Sequence, residues 1–168
     1  MRNRDISFAA ALGTTLLATA GWTADVGMYM NPGDLKWGEA PPTLPKGAKI
    51  AVLSGDPGKE GMFTGRLMMP AGYKIAPHWH STDEELTIIS GTFYLGEGDK
   101  VDTKGAHAIK AGGFHHLPAK THHYAWTKAA TVVQITAKGP FDIVYINPDD
   151  DPSKKAAAAA PAAPAKKM

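Results

Sequence analysis

The stretch Gly72-Tyr73-Lys74-Ile75-Ala76-Pro77-His78-Trp79-His80-Ser81-Thr82-Asp83-Glu84-Glu85-Leu86-Thr87-Ile88-Ile89-Ser90-Gly91 decides how this chain is read. His78 and His80 are two apart, so in a strand both imidazoles stand on one face, about 7 Å apart along the backbone, and Trp79 points away. Ser81-Thr82-Asp83 reads as a bend. Beyond it, Glu84, Leu86, Ile88 and Ser90 fall on one face of a second strand, with Glu85, Thr87 and Ile89 on the other. The bend returns the Glu84 carboxylate toward the two histidines and leaves the rival Glu85 on the opposite side. Two imidazoles and a carboxylate on one face ask for a metal ion, and a further donor must arrive from another strand. The chain has seven histidines, at 78, 80, 107, 115, 116, 122 and 123, and offers His122 and His123 for that role.

Outward from this stretch, short apolar or β-branched runs recur between Gly and Pro punctuation, at 49–53, 62–69, 73–77, 85–90, 92–95, 106–109, 114–117, 123–127, 131–137 and 141–146. No window of helical length carries a 3.6-residue period, and strands spaced about 8–12 residues apart with a turn signal in each gap indicate an antiparallel sandwich or barrel. The fold class is therefore all-β, with the barrel over 48–148. Residues 25–47 hold Pro32, Pro41, Pro42, Pro45 and four glycines, which reads as an extended arm without elements, able to pack through Met28, Tyr29, Leu35 and Trp37. Residues 1–20 combine Arg2 and Arg4, an uncharged apolar run and Ala18-Thr19-Ala20, the layout of a cleavable export signal, with cleavage after Ala20 or after Ala24. The run is too short for a stable membrane anchor, so a periplasmic or secreted location is expected. Residues 149–168, with Asp149 to Asp151, a run of alanines, Pro161, Pro164 and Lys166-Lys167, read as a disordered tail. With 18 Lys+Arg against 16 Asp+Glu and no cysteine, the chain holds neither disulfides nor thiolate-ligated metal. Between residues 21 and 148 the charges balance, 12 against 12, and no basic face marks a nucleic-acid binder.

The spacing Gly72, five residues, His78, one residue, His80, three residues, Glu84, six residues, Gly91 resembles the first conserved motif of the cupin superfamily without a departure. The second motif follows in Gly112, Pro118 and His123, and register from Pro118 chooses His123 over His122. It departs at Lys120, where glycine is usual, and at Thr127, where asparagine is frequent. The whole chain is similar to small exported bacterial single-domain cupins. The resemblance implies a single-domain jelly-roll β-barrel that binds one divalent metal ion through His78, His80, Glu84 and His123. Such a donor set with open positions suits Mn, Fe or Ni over Zn or Cu. It further implies a mononuclear metalloenzyme of oxygenase, decarboxylase or isomerase type acting on a small organic acid or phenolic compound. A periplasmic metal- or ligand-binding protein without catalysis is the alternative. Glu84 would double as proton acceptor. One of His115 and His116 faces the interior as hydrogen-bond partner or general base, and His116 is the candidate. Arg66 would clamp a carboxylate if it faced inward. The arm is expected to cross onto a second subunit, giving a homodimer.

Overall fold

A computed structural model describes residues 27–154. The expected export signal at 1–20 and the tail beyond Lys154 lie outside the described residues. Ten of the eleven strands fall on the runs read from the sequence: β2 (Lys49–Ser54), β3 (Gly61–Met69), β4 (Lys74–Trp79), β5 (Glu84–Ser90), β6 (Thr92–Glu97), β7 (His107–Lys110), β8 (Phe114–Leu117), β9 (His123–Thr127), β10 (Thr131–Gly139) and β11 (Val144–Tyr145). The other, β1 (Gly38–Glu39), corrects the reading of the arm as element-free, because it pairs with Ile50 and Lys49 at the edge of β2. A 3-10 turn at Pro32–Asp34 precedes it, with Asn31 N–H donating to the Asp34 carboxylate.

The strands form two antiparallel sheets, one in the order β1-β2-β3-β10-β5-β8 and the other β11-β4-β9-β6-β7. The all-β jelly-roll expectation holds. Alternation along each strand builds the core: Phe63, Leu67, Met69, Leu86, Ile88 and Val133 from the first sheet meet Ile75, Phe93, Leu95, Ala125 and Tyr145 from the second. At roughly 25 cal/mol per Å² of apolar area removed from water, this inner layer supplies the main stabilising term. The arm closes one end. Tyr73 Oη donates to the Pro45 carbonyl at 2.5 Å and Tyr145 Oη to the Thr43 carbonyl at 2.7 Å.

Two departures have local causes. The run 141–146 is a strand only at Val144–Tyr145, because Phe141, Asp142 and Ile143 turn over the open end of the core instead. At the other boundary, Pro152–Lys154 begin a helical turn where a structureless tail was expected. Asp151 caps it, accepting from Ser153 N–H at 2.9 Å, and proline at the first helical position suits the start of a helix.

Candidate metal centre

The site lies where β4, β5 and β9 face one another. In β4, Ile75 is buried on the inner face, and strict alternation from it would turn His78 outward. A bulge between Ile75 and His78 in the pairing with β9 inserts the extra residue, with Pro77 in it, and brings His78 and then His80 inward. Proline fits because a bulge frees its position from donating to the ladder. His123, first residue of β9, lies directly across from His78. Glu84 opens β5 on the buried side and Glu85 on the exposed side, as its alternation requires.

All four groups are buried. Ligand nitrogens of His78, His80 and His123 lie within 4.8 Å of one another. Each ring donates through Nδ1 to a backbone carbonyl: His78 to Ala76 at 2.7 Å, His123 to Thr121 at 2.9 Å and His80 to Asp142 at 2.5 Å. Those bonds fix the Nδ1–H tautomer, so the remaining lone pair sits on Nε2 and points into the site. Glu84 Oε2 stands 3.6 Å from His80 Nε2 and 3.8 Å from His123 Nε2. These distances are too long for hydrogen bonds.

Burial sets the protonation states. It pushes His78 well below the ordinary imidazole range, helped by the neighbouring His123 and His80, and pushes His123 down to about 4. Both are neutral at pH 7. The Glu84 carboxyl is raised by complete burial, and His80 pulls it back only in part. A carboxylate with no cation beside it in an apolar wall is costly, and a divalent ion would remove that cost. The donor set therefore fits such an ion.

The surrounding residues hold the rings. Phe141 stacks on His80 with centroids 4.4 Å apart at 20°, and the Asp142 carboxylate accepts from Ser81 N–H at 2.8 Å and Ser81 Oγ at 2.7 Å. Asp142 and Phe141 escaped the sequence reading, since nothing local ties them to a histidine some 60 residues away. Lys120 N–H donates to the His80 carbonyl at 2.8 Å. Lys120 itself has φ +64°, so it keeps the left-handed backbone of the glycine usual there. Thr127, in place of asparagine, is buried and satisfied: its Oγ1 donates to the Pro70 carbonyl at 2.6 Å and accepts from Tyr73 N–H at 3.2 Å.

The remaining candidates do not reach the site. His116 is corrected: β8 pairs Glu85 with His116 and Leu86 with His115, so His116 is exposed on the outer face and His115 faces inward. His115 Nε2 has no hydrogen-bond partner and lies 3.9 Å from Glu97 Oε1. His122 is bound to Asp99 at 2.5 Å, and His107 is exposed at the start of β7. Arg66 lies on the outer face, its Nε donating to Gln134 Oε1 at 3.1 Å.

A cavity of about 140 Å³ opens beside His78, His80 and Glu84. Its wall is Leu44, Ile50, Phe63, Ile135, Phe141 and Ile143 among others, and among the described residues no lysine or arginine lines it.

The profile of the ChrR cupin-like domain matches residues 25–142. No curated protein matches the chain. Among solved structures, the chain is similar to a candidate acetylacetone dioxygenase from Methylibium petroleiphilum, with 21% identity, TM-score 0.59, and coverage of 82% of this chain and 98% of that one. It is also similar to the polyketide cyclase RemF from Streptomyces resistomycificus, with 15% identity, TM-score 0.60, and coverage of 79% and 94%. The DMSP lyase DddQ from Ruegeria pomeroyi shares 16% identity at TM-score 0.55, over 70% of this chain and 64% of that one. These likenesses are of fold.

Proposed function

The chain belongs to the ChrR cupin-like family of the cupin superfamily, and we propose on that premise that it is a mononuclear metal-dependent enzyme acting on a small organic compound. One observation carries the reading: three buried imidazoles, each locked through Nδ1 to a backbone carbonyl, turn their Nε2 atoms toward one point beside a buried carboxylate. His78, His80, His123 and Glu84 would hold a divalent ion, with Mn, Fe or Ni favoured over Zn or Cu. When bound, the ion supplies Lewis acidity to substrate oxygens and, if redox-active, electrons. Phe141 and Asp142 orient His80. The apolar wall excludes water, and Glu84, whose pKa burial raises, can take or return a proton at its carboxylate oxygen.

The cavity lining supports one of the two substrate classes over the other. A small organic acid would find no cationic side chain among the described lining residues, and Arg66 is on the far side of its strand. A phenolic or other largely uncharged compound with one or two oxygens for the ion suits an apolar wall better. The similar solved structures carry dioxygenase, cyclase and lyase descriptions, and an oxygenase-type reaction is the one we favour. The non-catalytic alternative draws on the absence of any second free proton acceptor among the described lining residues, since the Asp142 carboxylate is tied to Ser81. Export and a homodimer complete the proposal, carried by residues 1–20 and the arm.

Elemental analysis of chelator-free protein tests the centre. One equivalent of metal is expected in the wild type and under a tenth in His78→Ala and His123→Ala, with His116→Ala unchanged. Full metal content in both ligand variants would sink the reading. With the metal established, turnover of phenols with and without O₂ separates enzyme from binder.

A further inference from the structure

Four of the seven histidines stand outside the metal centre. His122 is held by Asp99, and His116 lies on the outer face. His115 and His107 remain, and both turn toward one place. His115 is opposite Leu86 and His107 opposite Leu95, and directly opposed residues share a face, so both imidazoles stand on the core side of their strands. Glu97 follows Phe93 and Leu95 at period 2 along β6 and shares that side. Its carboxylate reaches across from the five-stranded sheet to His115 of the six-stranded one. Three strands, β6, β7 and β8, thus bring two imidazoles and a carboxylate to one edge of the space between the sheets.

The bonding at that edge is unfinished. His115 Nε2 is buried without a hydrogen-bond partner, and Glu97 Oε1 stands 3.9 Å away, too far for a hydrogen bond. Burial lowers the His115 pKa and Glu97 pulls it back only in part, so the ring is neutral at pH 7. A neutral ring gives the carboxylate no countercharge, and the carboxylate gives the buried nitrogen no bond. A cation between them would satisfy both. Their separation falls inside the 4.8 Å that bounds the three nitrogens of the inner centre. His107 is exposed, close enough to act on the charge of His115, and free to turn in as a third donor. We propose that His115, Glu97 and His107 form a second site for a divalent transition-metal ion, distinct from the inner centre.

The donor chemistry selects the ion. Imidazole suits Co, Ni, Zn or Fe, whereas Mg and Ca take oxygen donors. With few protein ligands and a Glu97 side chain 60% exposed, water fills the other positions, and the ion exchanges readily. Dialysed protein, or protein in chelator-buffered metal, therefore keeps the inner equivalent alone. Glu97 lies directly opposite His123 in the β6–β9 ladder, so the two sites are neighbours. No described residue of β6, β7 or β8 lines the cavity beside His78, His80 and Glu84, so the outer ion sits on the other flank of the centre and leaves that cavity open.

Equilibrium dialysis of the full chain against rising free Co(II) at constant ionic strength tests the proposal. Wild type is expected to take up two equivalents, the second held about tenfold or more weakly than the first. Glu97→Gln, at an exposed side chain, and His115→Gln should each keep the first and lose the second, while His116→Gln keeps both. His123→Ala should do the reverse, losing the tight equivalent and keeping the weak one. A lone equivalent indifferent to Glu97→Gln and His115→Gln would overturn the proposal, as would a second one that survives both. Loss of the tight equivalent in Glu97→Gln would overturn it too, by placing Glu97 in the inner centre. A wild type that binds only one weak equivalent, dependent on Glu97 and His115, would support the outer site and sink the inner one. No uptake at all would end both readings.

Discussion

Replacing Lys120 by glycine should stabilise the protein. Lys120 is exposed and holds φ at +64°, a conformation in which its Cβ crowds the following carbonyl. For an L-residue that costs about 1–2 kcal/mol, whereas glycine adopts it freely but loses about 0.5–1 kcal/mol more backbone entropy on folding. The difference spans about 0–1.5 kcal/mol, with a central gain of about 0.75 kcal/mol. No side-chain hydrogen bond of Lys120 offsets it, since the contact it makes is through its backbone N–H to the His80 carbonyl, which glycine keeps. Urea unfolding of Lys120→Gly should show a higher midpoint with an unchanged slope, and the melting temperature should rise by roughly 2–5 °C. Metal content should not change. A neutral or lowered midpoint would refute the reasoning, because it would mean that the turn relaxes out of the left-handed region at no cost.

Acid should weaken the metal-free protein in a defined window. His123 folds with its pKa lowered from 6.5 to about 4, so the unfolded chain binds the extra proton between those values, and stability falls as pH drops through them. The displacement is worth about 3 kcal/mol at 1.36 kcal/mol per unit. His78 adds to the slope with the same sign, and Glu84, raised by burial, opposes it. A flat profile of urea midpoints from pH 6.5 to 4.5 would contradict this. Gly96→Ala places a Cβ 2.4 Å from the Tyr124 ring, whose hydroxyl holds Asp102 at 2.8 Å. A loss of about 1–3 kcal/mol is expected, with faster hydrogen exchange at Asp102 and Lys104. Phe141→Ala removes the ring stacked on His80 and should weaken metal binding about tenfold, read by competition with a chelator, while leaving one equivalent bound at saturation.

Much of this was legible in the sequence because period 2 is a strong code. Glu84, Leu86 and Ile88 alternate with Glu85, Thr87 and Ile89, and the buried side of β5 follows that pattern residue by residue. His123 was legible through its register from Pro118. Longer-range facts were not. The two-histidine face of β4 looked like plain alternation, yet it depends on a bulge at Pro77, which only the pairing with β9 reveals. The choice between His115 and His116 rests on the register of β8 against β5, and four residues of local sequence carry no information on it. The arm's short strand was hidden because prolines and glycines outweigh two residues of edge pairing. The helical turn after Asp151 did have a signal, aspartate followed by proline, which the low-complexity composition beyond it masked.

The bond from His80 Nδ1 to the Asp142 carbonyl sets an order of events during synthesis. The rings of His78 and His123 are held by carbonyls two residues before them, so their orientation is fixed as soon as their own strands form. His80 waits for a carbonyl that leaves the ribosome 62 residues later. A chain arrested before Asp142 lacks that carbonyl and leaves the His80 imidazole without the bond that orients it. If these residues hold the proposed ion, tight capture is a property of the finished polypeptide, and a truncated or nascent chain would hold it no better than a pair of histidines and a carboxylate can.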